Sequence, residues 1–386
     1  MTISMATGRD SLVDGAESVR AVIARHSAEA EDRRRLSPEA AEALTEAGFA
    51  RHFVPTRWGG SAGSYLSFVT AVAAIGESCA AAAWCGAIYA ILGRMAAHLP
   101  AAGQAEIWAD GPDCRIVCSL TPAGRAEPVP GGVRLDGRWT FASGVDTADW
   151  ALVGAIPGEG AVPAYFAVPR ADSRIAPTWD SVGLRGTGSN TIELDGVVVP
   201  AHRSMPIKRV WNGITDVGAS HCHRVPLKAV NGLTFVAPAL GTARAALAGW
   251  TTYIRDKRES TGGAARDRAT VQIALARSAA EIDAAWLLLE RAARMADLTE
   301  VSETVVATNA RDFAFSIDLL VSAVDRILRA GGARAQSETN PLQRSWRDVH
   351  GAAGHFALQF EANAAAYAAD IFDNRPVADQ SGKDGR

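Results

Sequence analysis

The spacing of apolar residues changes twice along the chain and divides it into three stretches. Up to about residue 110 the spacing is helical. Leu12, Val19, Val22 and Ile23 recur on one face ahead of an acidic–basic run over 29–35. Ser37-Pro38-Glu39 reads as a helix start: a serine cap, a proline in the first turn and an acid facing the dipole. The helix it opens passes through Leu44 and stops near Gly48. A turn follows over 55–60, then an alanine-rich helix pair over 65–99 and a further helix over 104–109.

From 111 to 225 glycine and proline become frequent and the apolar runs shorten. Strand-like segments fall at 115–120, 132–135, 150–156, 164–168, 191–194 and 197–199. Pro130-Gly131-Gly132, the Pro-Gly-Glu-Gly run over 157–160 and Asp195-Gly196 punctuate them as turns. Short strands at this spacing predict a small barrel or sandwich. From 226 onward four long helical patterns return, over 230–253, 266–297, 302–330 and 341–372, which implies a bundle. The expectation is an α+β chain of three domains: an N-terminal helical domain over 1–110, a β-domain over 111–225 and a C-terminal four-helix bundle over 226–374. A polar, flexible tail follows over 375–386.

Composition narrows what such a chain can do. Its 386 residues are 48% hydrophobic and 21% charged, which excludes a disordered chain. The formal net charge of −3 offers no positive field for a phosphate backbone, so nucleic acid is not an expected partner. The most apolar run, over 71–95, is interrupted by Glu77, Ser78 and Arg94 and reads as a buried helix rather than a membrane span. No signal-like apolar run appears at the N-terminus, and the expected setting is the cytoplasm. Five cysteines, an odd number, suit free thiols in a reducing compartment. Cys114 and Cys118 have no second pair, and His221-Cys222-His223 stands alone, so neither is read as a metal site.

No GxGxxG follows a strand; Gly183-Leu184-Arg185-Gly186-Thr187-Gly188 has the wrong spacing and lies among the strands. P-loop, GxSxG and HExxH patterns are missing too. The positive signal is distributed. Ser119-Leu120-Thr121-Pro122 precedes Gly137-Arg138-Trp139-Thr140-Phe141-Ala142-Ser143-Gly144. Then come Gly183 through Ser189 and, in the bundle, Asn340-Pro341-Leu342-Gln343-Arg344-Ser345-Trp346-Arg347-Asp348-Val349-His350, with His355 after it.

Taken together and in this order, these segments resemble the acyl-CoA dehydrogenase superfamily. More closely, they resemble the two-component flavin-dependent monooxygenases of that fold. The resemblance spans about residues 15–375, and the segments around Trp139 and Trp346 are its specific part. It implies an acyl-CoA dehydrogenase-like architecture and a homotetramer. It also implies an oxygenase component that takes reduced flavin (FMNH2 in slight preference to FADH2) from a separate NAD(P)H:flavin reductase. With O2 such a component forms a flavin C4a-hydroperoxide and hydroxylates a small molecule, here a polycyclic or heteroaromatic one of secondary metabolism.

The same resemblance assigns residues. Ser143 is expected to bond flavin N5, with Trp139 and Phe141 as an apolar wall and Ser119, Leu120 and Thr121 nearby. Arg258 would reach a neighbouring subunit's flavin; the aromatic residue that usually follows it is missing. Trp84, Tyr89 and His350 are substrate-side candidates, and the many small residues around Trp84 leave room for a large ring system. His355 is the catalytic candidate, able to accept a phenol proton or donate near neutral pH. His350 and His355 would lie about 140° apart on a continuous helix, so only one can face the site.

Three other readings stay open: N- or S-oxygenation on the same scaffold, a desaturating dehydrogenase, and a non-catalytic flavin-binding relative. The dehydrogenase reading demands a carboxylate base. In relatives it stands either near where His355 and Phe356 lie or near 231–235, and neither place has an acid. Asp216 is the one carboxylate between Val197 and Arg255.

Overall fold

The structure is a computed structural model that describes residues 11–258, 262–298 and 300–374. The flexible tail expected over 375–386 lies outside the described residues.

Among the described residues five helices come first: α1 (Ser11–Arg33), α2 (Pro38–Glu46), α3 (Tyr65–Gly76), α4 (Ala80–Ala96) and α5 (Ala101–Ile107). The start of α2 follows its sequence signal, because the Ser37 hydroxyl accepts from the Ala40 amide and Pro38 sits in the first turn. Helix α4 is buried along its whole length, as an alanine-rich helix with so little polar surface must be.

Eight strands follow: β1 (Ile116–Ser119), β2 (Arg125–Val129), β3 (Gly132–Ala142), β4 (Trp150–Ala155), β5 (Ala164–Pro169), β6 (Arg174–Ala176), β7 (Asn190–Pro200) and β8 (Ser204–Pro206). They form two four-stranded sheets, ordered β1-β4-β5-β8 and β2-β3-β7-β6, which do not close into a barrel. Among these eight strands β1 and β4 form the one parallel pair.

Two bulges separate this arrangement from the sequence pattern. Asp195-Gly196, which reads as a turn, is a bulge inside β7: the pairs Leu135↔Val197 and Gly137↔Leu194 leave one extra residue on that strand. Gly196 takes φ 66° and its amide bonds Asp136 Oδ1 at 2.5 Å. The second bulge is on β3, between Trp139 and Ala142, and carries Phe141 at φ 63°. Strand β2 escapes the pattern because Arg-Ala-Glu-Pro-Val does not alternate, and β6 and β8 are only three residues long.

Helices α6 (Ile207–Trp211) and α7 (His221–Arg224) lead into the C-terminal helices α8 (Asn231–Asp256), α9 (Ala269–Ala296), α10 (Glu303–Gly331), α11 (Pro341–Ala353) and α12 (Phe360–Asn374). The helix expected over 341–372 is therefore broken. After Gly354 the His355 side chain accepts from the Ala357 amide and caps a short 3-10 turn, Phe356–Leu358. This break redirects the backbone at the residue on which the proposed chemistry turns.

One continuous apolar core joins the N-terminal helices, the sheets and the first turns of α8, with a smaller cluster around Trp250, Ile254 and Ile327. Among the described residues no helix is long and apolar enough to cross a membrane. Helices α3 and α8 cross where two glycines meet: a methyl group on Gly241 would lie 2.0 Å from Ala73 O and 2.8 Å from Gly76 Cα. This contact lets α8 approach closely enough for Phe235 to face α4.

Two glycines on α8 should respond oppositely. Gly241→Ala overpacks the crossing and should lower stability by about 2 kcal/mol. Gly249→Ala, where a methyl group meets nothing within 4 Å, should raise it by about 0.5–1 kcal/mol. Denaturant titration of both variants checks the sign of each.

Candidate active site

The site assembles around Ser143, the second residue past the Phe141 bulge. Its side chain is buried and its Oγ accepts from Trp84 Nε1 at 3.1 Å. The same oxygen lies 2.8 Å from Ser189 Oγ, which lies 2.7 Å from Thr187 Oγ1, and Thr187 donates to Leu184 O at 2.9 Å. Gly144 follows at φ 76°, and its amide donates to Thr187 O at 2.7 Å. The Ser143 turn is thus pinned through both side chain and backbone to the turn that carries Thr187 and Ser189.

That second turn is held from three sides. Leu184 takes φ 53°, and its amide donates to the buried Asp348 of α11 at 2.7 Å. Gly183 lies flat against Arg347 O, where any side chain would collide, and Gly186 fits between Ala30 and Ala81. Burial pushes the Asp348 carboxyl up to about 6, against the bond from Leu184 and the nearby arginines.

Trp84, which bonds Ser143, belongs to a cluster of three rings. Trp84 packs on Phe235 (centroids 5.1 Å apart) and meets His355 edge-on at 6.0 Å, while Phe235 stacks on His355 at 3.6 Å. Phe356 adds a ring on the far side of His355 at 4.7 Å. Burial pushes His355 down to about 4, so it is neutral at ordinary pH. Its Nδ1 accepts from the Ala357 amide at 3.3 Å. In the neutral ring the proton therefore resides on Nε2, which makes that nitrogen a hydrogen-bond donor. The two places where a dehydrogenase base would stand converge here, and the Phe235 and His355 rings fill them.

The other expected residues divide. Ser119 donates to Thr140 O at 2.8 Å, which sets the end of β1, with Leu120 and Thr121, beside the bulge. Phe141 is 71% exposed and edge-on to Trp179 at 6.3 Å, an apolar ring at the mouth of the site. Trp139 is not a wall. It is fully buried, and its indole donates to Gly154 O at 2.8 Å within the sheet core. In a regular strand Trp139 and Phe141 would share a face; the bulge between Trp139 and Ala142 breaks the alternation and turns Phe141 away from the core.

Tyr89 does not face a cavity either. It is fully buried behind Gly144, with its hydroxyl 2.8 Å from Thr147 Oγ1. His350 turns toward α10: Nδ1 bonds Trp346 O at 2.9 Å and Nε2 lies 3.4 Å from Asp325 Oδ1. Arg258 is exposed beyond the end of α8, roughly 30 Å along the helix from Phe235, so it does not join this cluster within one chain. Phe235, Thr187 and Ser189 were not expected as site residues. Phe235 sits in an unbroken apolar run with no local signal, whereas the polar Thr-Gly-Ser of a buried glycine-rich turn could have pointed to the other two.

A groove of about 640 Å³ opens beside the rings, lined by Phe356, Ala357, Asn231, Gly232, Phe313 and Trp211 among others. A second, of about 530 Å³, lies between α1, α8 and α11 and touches Ala80 and Asp348. Ser143 and His355 line neither, so the site is defined by its hydrogen bonds and rings. The five cysteines are free. His221 and His223 bond the carbonyls of Ala296 and Phe53, and no metal-binding group is found among the described residues. A hydroxyl with a remaining lone pair, set beneath apolar rings and beside an exposed aromatic, suits a flat heterocycle with apolar faces and a polar edge. A flavin ring fits that description.

Known proteins resemble the chain along most of its length. Residues 14–107 match the acyl-CoA dehydrogenase N-terminal domain and residues 233–360 the acyl-CoA dehydrogenase C-terminal domain. The chain is 31% identical over 365 residues to the flavin-dependent monooxygenase oxygenase subunit HsaA of Rhodococcus jostii (strain RHA1), covering 91% of this chain and 95% of that one. It is 30% identical to the oxygenase component of the FADH(2)-dependent resorcinol hydroxylase of Rhizobium sp. (strain MTP-10005), covering 86% and 87%. The structure of XiaF from Streptomyces sp. in complex with FADH2 and glycerol superimposes with a TM-score of 0.88 at 27% identity, over 95% and 96% of the two chains. The chain belongs to the acyl-CoA dehydrogenase superfamily, in its branch of flavin-dependent monooxygenase oxygenase components. It is a flavin-dependent monooxygenase.

The buried histidines set an acid limit on stability. Burial holds His98 at about 3 and His223 and His355 at about 4. Near pH 5 the unfolded chain carries three protons there that the folded chain does not. Asp348, raised to about 6, works the other way by one. These four groups together take up about two protons on unfolding near pH 5, so their contribution to stability should fall as pH drops from about 6.5 toward 4.5. Urea midpoints across that range test this; a midpoint that stays flat or rises on acidification contradicts it.

Proposed function

We propose that this chain hydroxylates a polycyclic or heteroaromatic small molecule with O2, using reduced flavin received from a separate NAD(P)H:flavin reductase. The observation that carries this reading is the ring stack of Phe235 and His355 against Trp84, whose indole donates to Ser143, in the place where a desaturase needs a carboxylate. The reductant is FMNH2 in preference, with FADH2 as the alternative. Relatives named as oxygenase components, one of them FADH(2)-dependent and acting on resorcinol, support the division of labour and an aromatic substrate. The neighbouring groove of about 640 Å³, lined by Phe356, Phe313, Trp211 and several alanines as well as by Lys228, Glu303, Asp370 and Asp373, has room for fused rings.

Bound reduced flavin supplies the electrons with which O2 is activated. Ser143 meets the flavin at N5, and Ser119, Leu120 and Thr121 border it from the end of β1. Trp84 and Phe235 keep water from the reacting face. His355, with its proton on Nε2, donates a hydrogen bond to the oxygen being transferred or to a substrate hydroxyl. Arg258 lies too far along α8 to serve this cluster, and its role belongs to a neighbouring subunit's flavin in a homotetramer. Exposed Ile273, Leu275 and Leu287 on α9 give such an assembly apolar surface to bury.

Turnover with a flavin reductase, NADH and a panel of fused-ring phenols and indoles under ¹⁸O₂ tests the reading. One labelled oxygen is expected in the product. His355→Ala should keep flavin binding while hydroxylation falls roughly 100-fold and the consumed oxygen leaves as hydrogen peroxide. Unchanged coupling in that variant removes His355 from the reaction, and oxygen-independent desaturation of an acyl thioester overturns the monooxygenase reading of the site.

A further inference from the structure

The hydroxyl chain behind Ser143 has a direction. Trp84 Nε1 can only donate, so Ser143 Oγ accepts there at 3.1 Å. Leu184 O can only accept, and Thr187 Oγ1 donates to it at 2.9 Å. Thr187 has one proton, and it is now committed. The 2.7 Å bond between Thr187 and Ser189 must then be donated by Ser189, and the 2.8 Å bond between Ser189 and Ser143 by Ser143. All three serine and threonine side chains are buried, so water is a poor substitute partner. Ser143 is left with one lone pair and no proton for anything in front of it.

A flavin presents opposite faces of the hydrogen-bond code at N5 in its two redox states. Reduced flavin carries N5–H, a donor; oxidised flavin carries a bare N5, an acceptor. We propose that Thr187 and Ser189 are positioning residues that lock Ser143 as an acceptor, so that the site selects reduced over oxidised flavin. The inference rests on the reading that Ser143 meets flavin N5. It assigns redox selectivity to two residues that touch neither flavin nor substrate.

The reverse polarity is close at hand. If Thr187 turned its proton to Ser189, Ser189 would donate to Ser143, and the Ser143 proton would be free to meet a bare N5. What opposes reversal is the single bond from Thr187 to Leu184 O. Thr187→Val removes that anchor without orphaning the carbonyl, which keeps its bonds from the residue-187 amide at 3.1 Å and from Trp179 Nε1 at 3.1 Å. Ser189→Ala reaches the same end by releasing the Ser143 proton directly.

The experiment compares anaerobic binding of oxidised and dithionite-reduced FMN, and then FAD, to the purified full chain and its variants. In Thr187→Val and Ser189→Ala the ratio of oxidised to reduced dissociation constants should fall roughly three- to tenfold, one neutral hydrogen bond changing sign. The midpoint potential of bound flavin should fall with it, by about 15–30 mV for the two-electron couple. Thr187→Ser, which keeps the hydroxyl, should restore both values. If the ratio is unchanged in both variants while Ser143→Ala weakens reduced-flavin binding, the directed chain is wrong although Ser143 meets the flavin. If Ser143→Ala alters neither affinity, the reading of Ser143 fails and the inference fails with it.

Discussion

The bond from the Leu184 amide to Asp348 is the constraint on which the site depends. A left-handed residue in a turn between strands cannot hold itself, and its amide is buried. Asp348 supplies the acceptor from a helix that begins 157 residues later in the chain. Around this bond Arg347 bonds both Val182 O and Glu31 of α1, and Glu31 also faces Arg185. The turn is thereby tied to the first and the eleventh helix at once. Its far end carries Thr187 and Ser189, which hold Ser143. The far end of α11 leads, through Gly354, to His355. One buried carboxylate thus ties the turn that holds Ser143 to the helix that leads to His355.

The chemistry follows from what this frame leaves room for. A desaturase base would be a carboxylate facing substrate, solvated or paired well enough to stay charged. Here the corresponding space is filled by stacked rings, and the nearby imidazole is held neutral by burial. Such a site is poor at abstracting a carbon-bound proton. It is suited to keeping water out and offering one defined hydrogen-bond donor, which is what transfer of an activated oxygen requires.

Much of this was legible in the chain. The order of helical, strand-like and helical spacing predicted the architecture, and the Ser37-Pro38 cap and the long α8, α9 and α10 fell where periodicity put them. The errors share a cause: local signals do not report what a segment packs against. Asp195-Gly196 has turn chemistry, yet a glycine at positive φ serves a bulge equally well when a partner strand is present. The break at Gly354 hides because apolar residues continue past it; the extended backbone at His355 and the bond from Ala357 to its side chain define it. Trp139 and Phe141 look alike in sequence, but the bulge between them sends one into the core and the other to the surface. Tyr89 shares the alanine-rich helix with Trp84, but Thr147 claims its hydroxyl. Phe235, which stacks on His355, gave no signal at all, since a core phenylalanine and a site phenylalanine are the same residue until the partner is seen.

The most direct test of this account is a crystal structure of the protein grown without oxygen in the presence of dithionite-reduced FMN. The account predicts the flavin ring between Phe141 and the Trp84–His355 rings, with N5 within about 3 Å of Ser143 Oγ and no other hydroxyl as near. A ring bound elsewhere, or one whose N5 faces a different side chain while Ser143 keeps only its bonds to Trp84 and Ser189, contradicts it.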